Sequence, residues 1–366
     1  MPGSPGRFHI PSLDGLRAVA IALVFLSHAG LSQIIPGGFG VTVFFLLSGY
    51  LITTLLRREH ERTGAIDLKH FYLRRVLRIW PAFYIVWLAG VVGVGVHLIP
   101  GEVKLWPALS QAFHLTNYYI IADGFDGLAP GSAVYWSLAI EEHFYLVFPF
   151  AYALMLASRW SARRQLGALL AACMVVLLWR AWLVAGTSAS FNRTYCGTDT
   201  RLDNLLFGCA LAVWGNPVLD GPPRREALFK RVVLPLAVLC LLGSFVIRSE
   251  AFRETFRYTL QAAALVPIFI AAISYPGWGV FRVLNLSWVR WLGGLSYAFY
   301  LVHHTVIETV RADAPAWPAW LQGVSALAVS LAIAWTLGRW VESPLARVRH
   351  SLAANGAPSV RGAQLR

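Results

Sequence analysis

The sequence predicts an all-α polytopic membrane protein: about ten transmembrane helices enclosing a polar cavity, with the N-terminus and C-terminus both cytoplasmic. Three observations carry this. Of the 366 residues, 57% are hydrophobic and only 13% charged, about half the charged share of an ordinary soluble domain. Apolar runs of roughly the 20 residues that cross a bilayer recur almost from end to end. Basic residues gather in short loops between alternate runs, so the formal net charge of +13 reflects membrane topology and not nucleic-acid binding.

In chain order the apolar runs fall at 13–32, 38–56, 81–99, 134–156, 166–186, 202–215, 232–248, 258–275, 291–310 and 319–340. The first contains Asp14 and Arg17 and leads to no small-residue cleavage site, so a permanent span is expected there and not a removable signal. The sixth opens on Arg201, Asp203 and Asn204 and is the shortest. With the N-terminus inside, about 22 of the 31 Lys and Arg fall on the cytoplasmic side, about seven outside and two within spans. Arg248, Arg253 and Arg257 oppose that scheme, although Glu250 and Glu254 lie among them. The loop from Arg57 to Pro81 supplies the largest basic share, and within it Leu68 to Trp80 alternates apolar with basic residues as an interfacial amphipathic helix does.

One membrane domain is expected over 1–350. A disordered cytoplasmic tail is expected over 351–366, rich in Ala, Gly and Ser, with no soluble second domain after the last span. The four cysteines, Cys173, Cys196, Cys209 and Cys240, form no CxxC pair or metal spacing, so neither a disulfide framework nor a metal is expected.

An ionisable residue inside a span costs several kcal/mol unless paired or wet, which makes each one a candidate functional group. Arg17 and His28 are eleven residues apart, about three helical turns and about 16 Å, and so share one face. A cation near the cytoplasmic mouth with an imidazole deeper in suits a tunnel that admits an anionic donor and moves a proton at its end. The plain structural reading, a snorkelling Arg17 paired with Asp14 and an interfacial His28, fits the isolated pair equally well. Glu141, Glu142 and His143 open the fourth run; the two glutamates point about 100° apart, so at most one faces His28. Ser296, Tyr297, Tyr300, His303 and His304 crowd the ninth run, where each is either cavity lining or interhelical hydrogen-bonding glue. Asp199, Arg201 and Asp203 offer two carboxylates flanking an arginine, suited to a hydroxyl-rich acceptor or to a structural salt bridge. Ser48-Gly49 inside a bulky span favours close helix packing. Arg74, Arg75 and Arg78 offer bidentate phosphate contacts.

Taken in order, these segments resemble the integral-membrane acyltransferase 3 family. The match runs through Leu13-Asp14-Gly15-Leu16-Arg17 with His28, Phe44 to Leu51, Arg74 to Pro81, Trp136 to Pro149, Asp199 to Asp203, Ser296 to His303, and Glu342-Ser343-Pro344. Tyr50 stands where the family usually has phenylalanine, and His143 where glutamine is common. The resemblance implies about ten spans in the inner (cytoplasmic) membrane and acyl-CoA, in the prior case acetyl-CoA, used from the cytoplasmic side without a metal. It also implies transfer to a hydroxyl of a carbohydrate or related acceptor. By the same resemblance His28 is the base or acyl carrier and Glu141 its partner. Arg17, Arg75 and Arg78 are the donor's phosphate contacts; Asp199, Arg201, Asp203, Tyr297 and His303 are assigned to the acceptor side from their own residue types. Direct attack by the hydroxyl and a covalent acyl-His28 intermediate both remain open. A transporter or flippase of a lipid-linked or small polar substrate is the rival class, and it predicts matched Gly or Pro breaks in two halves, which the sequence does not display.

Overall fold

The computed structural model describes residues 9–187 and 189–355, and within them every expected apolar run is occupied by one long helix. In order these are α1 (Pro11–Leu31), α2 (Gly37–Thr63), α3 (Leu68–Gly95), α4 (Tyr135–Ala157), α5 (Ala162–Gly186), α6 (Thr198–Val213), α7 (Glu226–Val246), α8 (Arg257–Ser274), α9 (Ser287–Asp313) and α10 (Ala319–Arg349). No strand occurs among the described residues. Seven of the ten, α1, α2, α3, α5, α7, α8 and α10, are long and apolar enough to cross a membrane. The other three, α4, α6 and α9, are those that carry Glu141 to His143, Asp199 to Asp203 and Tyr297 to His304. Of the tail expected after His350, helix continues to Asn355, and residues 356–366 lie outside the described residues.

Successive long helices run in opposite directions. At one end Ser12 Oγ donates to Asn285, Arg57 grips Asp220, Lys230 sits over Tyr275 and Arg163 over Trp214. At the other end Gly131 packs on His304 and Thr305, Arg180 reaches Thr255, and Asn117 reaches Cys196 and Thr198. The first is called here the basic end, because it holds the α2–α3 connection.

That connection corrects one expectation. The basic stretch from Arg57 to Pro81 is not a loop carrying a separate interfacial helix: α2 runs to Thr63, and α3 starts at Leu68 and continues without a break through Pro81 to Gly95. Asp67 caps α3, accepting from the His70 backbone N–H at 3.0 Å and meeting its ring at 2.6 Å. These contacts hold the Asp67 carboxyl below the usual carboxylate range. Pro81 lies inside α3, and just before it Tyr297 Oη on α9 donates to the Ile79 carbonyl at 2.7 Å.

α2 is the axis of the bundle, with 72% of its apolar window buried, against 22% for each of α3, α7 and α10. The peripheral helices turn Val92, Leu239 and Val329 outward, the faces a bilayer would solvate. Backbone contact binds α2 to α6. A Cβ on Gly49 would lie 1.9 Å from the Leu205 carbonyl oxygen, and one on Gly208 would lie 2.1 Å from that of Leu46. The Ser48-Gly49 pair thus serves close packing, as small residues do where membrane helices cross.

Candidate active site

The last turn of α1, Ser27–Leu31, is π-helical, and Gly30 within it has φ 114. Widening the helix frees carbonyls, and the freed His28 carbonyl accepts from Arg311 Nη2 at 2.6 Å. The His28 ring is held between histidines of α9: its Nδ1 lies 2.9 Å from His303 Nε2, and the His304 ring stacks on it with centroids 4.2 Å apart. His303 is fully buried, and its Nδ1 lies 2.8 Å from the Tyr300 carbonyl.

These contacts set the tautomers. A carbonyl only accepts, so His303 Nδ1 carries the proton and the neutral ring's Nε2 holds a lone pair. His28 Nδ1 therefore donates to it, and His28 Nε2 is left with the free lone pair. An imidazole so oriented is a ready proton acceptor. His303 was expected on the acceptor side; it stands behind His28, where Glu141 was expected.

Glu141 lies elsewhere. Glu141 Oε1 accepts from Ser48 Oγ at 3.0 Å and Oε2 from Tyr145 Oη at 2.8 Å. Its neighbours on α4 diverge as helical spacing requires: Glu142 accepts from Trp80 Nε1 on α3 at 3.1 Å, and His143 meets Thr198 on α6 at 2.8 Å. The Tyr145 ring in turn lies under the Arg75 guanidinium, 5.5 Å from its centroid.

Arg75 begins the basic part of the site. Arg17 pairs with Asp14 at 3.0 Å, and Arg78 is close enough to both Arg17 and Arg75 for each to feel its charge. Glu342, from the closing Glu-Ser-Pro segment, shares the field of Arg78 and Arg349, and its Oε1 is buried without a partner. The three expected donor contacts, Arg17, Arg75 and Arg78, are thus brought together at the basic end. Glu141 is within reach of the charges of Arg17 and Arg75.

The Asp199–Asp203 segment does not join this line. Asp199 is clamped by Arg193 through both oxygens and by Trp179 Nε1 at 2.7 Å. Arg201 is fully buried; it donates to Thr42, Asn204 and the Tyr195 carbonyl, with its guanidinium 4.1 Å from the centre of the Tyr258 ring. Asp203 is fully buried against Arg180 at 3.1 Å and accepts from Thr259 at 2.5 Å. The structural salt bridge, not an open acceptor mouth, describes these residues. Its cation had gone unremarked: Arg180 interrupts the apolar run from Met174 to Val184, a signal that by itself marks a buried partner. Glu308 and Arg311 were missed as well, although their spacing from His304 (i+4 and i+7) places all three on one helix face.

No group of three or more His, Cys, Asp and Glu able to hold a metal occurs among the described residues. Two cavities flank the histidines. One of about 70 Å³ is lined by Ala29, Gly30, Arg311 and Gln322 among others; the other, of about 410 Å³, lies between the Phe125–Ala133 segment and His304 and Glu308 on α9.

Comparison with known proteins gives the family. No solved structure matches the chain. Among curated relatives it is 34% identical over 362 residues to the peptidoglycan O-acetyltransferase OatA of Listeria monocytogenes, covering 93% of this chain and 56% of that one. It is 33% identical over 323 residues to the putative peptidoglycan O-acetyltransferase YrhL of Bacillus subtilis, covering 82% and 49%. It is 31% identical over 315 residues to a putative O-acetyltransferase of Staphylococcus aureus strain COL, covering 83% and 51%. The chain spans about half the length of these relatives. The family model described as an acyltransferase domain matches residues 10–339, nearly the whole set of helices, and the chain belongs to that acyltransferase 3 family.

Proposed function

We propose that the chain is a membrane-bound O-acyltransferase that moves an acetyl group from acetyl-CoA, bound from the basic end, to a hydroxyl of a glycan reached from the opposite end. We read the basic end as cytoplasmic and the membrane as the inner membrane, following the clustering of Arg and Lys at the α2–α3 connection. The names of the relatives make peptidoglycan the first acceptor to try.

The observation that carries the reading is the His28–His303 pair, whose hydrogen bonds leave His28 Nε2 as a base. The acceptor hydroxyl gives its proton to His28 Nε2 as its oxygen attacks the thioester carbonyl. The C–S bond then breaks and the CoA thiolate takes that proton, leaving the ester and free thiol. Charge that builds on the histidine pair is spread by the Tyr300 carbonyl behind it. Arg17, Arg75 and Arg78 form a cationic mouth suited to the donor's phosphates, and Arg17 stands about 16 Å from His28 along α1, a span a phosphopantetheine arm can bridge. Glu141, with Ser48 and Tyr145, lines the passage between. Asp199, Arg201 and Asp203 hold α5, α6 and α8 together and take no part in the chemistry.

The test is consumption of radiolabelled acetyl-CoA by membranes containing the chain, with and without solubilised peptidoglycan. His28→Ala should lower glycan-dependent transfer by roughly 10²–10⁴-fold, the usual worth of a positioned base. Full transfer by that variant at equal protein level would rule the mechanism out.

A further inference from the structure

We propose that the cavity between the Phe125–Ala133 segment and α9 is part of the acceptor site, and that it seats one neutral sugar ring of a glycan against His304. The proposal rests on the acyltransferase reading above and adds to it the place and chemistry of the acceptor.

Position comes first. His304 lines this cavity and its ring lies flat on that of His28, so an occupant is one imidazole away from the base. At about 410 Å³ the space lies near the low end of the roughly 300–1,000 Å³ of small-molecule sites. That suits a single ring. The cavity lies at the end away from Arg17, Arg75 and Arg78, so donor and acceptor do not compete for one mouth.

The lining then selects the class. One wall is apolar: Phe125, Leu128, Ala129, Pro130 and Ala133, with Phe125 58% exposed as a flat platform for the C–H face of a pyranose. The opposite edge is polar. Glu308 touches His304 at 3.5 Å and Arg311 at 2.9 Å, both through Oε1, which leaves Oε2 to accept from a sugar hydroxyl. A carboxylate at the edge disfavours anionic acceptors, and the single polar edge disfavours a wholly apolar one. Gly131 seats the segment: at φ 73 its missing Cβ would meet Thr305 N at 2.3 Å, so the backbone lies directly on α9 and closes the floor.

The test uses the full chain in detergent, with a soluble oligomer of β-1,4-linked N-acetylglucosamine as the probe and acetyl-CoA binding measured in parallel. The parent should bind the oligomer. Ala133→Trp, which fills the cavity, should weaken that binding at least tenfold while acetyl-CoA still binds. Leu239→Trp, on the outer face of α7, should leave oligomer binding as it is. Glu308→Gln should raise the acceptor KM about fivefold or more with less effect on kcat. If Ala133→Trp does not fold, the Glu308→Gln result decides. Parent-like oligomer affinity in Ala133→Trp, an unchanged acceptor KM in Glu308→Gln, or no oligomer binding by the parent overturns the subsite. A parent that binds the oligomer in this manner but consumes no acetyl-CoA keeps the subsite and overturns the donor reading.

Discussion

At the scale of single residues, the site separates orientation from binding, and the two should fail differently. His303 touches His28 and stands at the end away from Arg17, Arg75 and Arg78, so His303→Ala should lower kcat at least tenfold while leaving the KM for acetyl-CoA within about twofold, the pattern of a group acting only on the chemical step. Arg78 sits at the basic end beside Arg17 and Arg75. Arg78→Ala should raise the KM for acetyl-CoA with a smaller change in kcat. Steady-state kinetics in membranes distinguishes them, and exchange of the two patterns would reverse the assigned roles. The sequence marked His28 and His303 each as costly inside a span, but not that they meet. Nothing local announces a contact between residues 275 positions apart, and the π-turn that aims His28 has no periodicity signal of its own. The family resemblance makes Glu141 the partner of His28, while helix geometry alone leaves Glu141 and Glu142 as alternatives; in the structure the Glu141 carboxylate is taken by Ser48 and Tyr145.

At the scale of helices, what was legible was existence and order, because runs of 20 apolar residues leave little choice. What was not legible was where helices end. Basic residues between Arg57 and Pro81 read as loop, yet Lys and Arg are good helix formers and only the short turn at Gly64 to Asp67 is left unwound. The interlock of α2 and α6 gives a sharp prediction. Gly49→Ala pushes a methyl into the Leu205 carbonyl at 1.9 Å, backbone against backbone, so it should abolish recovery of monodisperse protein. Ser48→Ala, one residue away and without that contact, should be recovered normally. Size-exclusion chromatography of the two in detergent provides the comparison, and a well-behaved Gly49→Ala would show that α2 and α6 are not so closely joined.

At the scale of the whole molecule, the alternation of ten helices places the start of α1 and the end of α10 at the same end. The long Phe125–Ala133 approach and the histidines lie at the other. A cysteine placed at Glu61 should react only with membrane-permeant maleimide in intact cells, and one placed at Asp126 should react with the impermeant reagent as well, in a background lacking the four native thiols. The opposite labelling would invert the orientation and with it the direction of transfer. The charge count in the sequence predicts the orientation that this labelling checks; which helices pack together emerges only from the structure.

The cavity beside His304 lies at the end away from Arg17, Arg75 and Arg78. On the orientation proposed, an inhibitor shaped to that cavity acts from outside the cell. It needs no uptake, meets no competition from the intracellular thioester pool, and is not removed by efflux, so potency measured on intact cells should equal potency measured on isolated membranes.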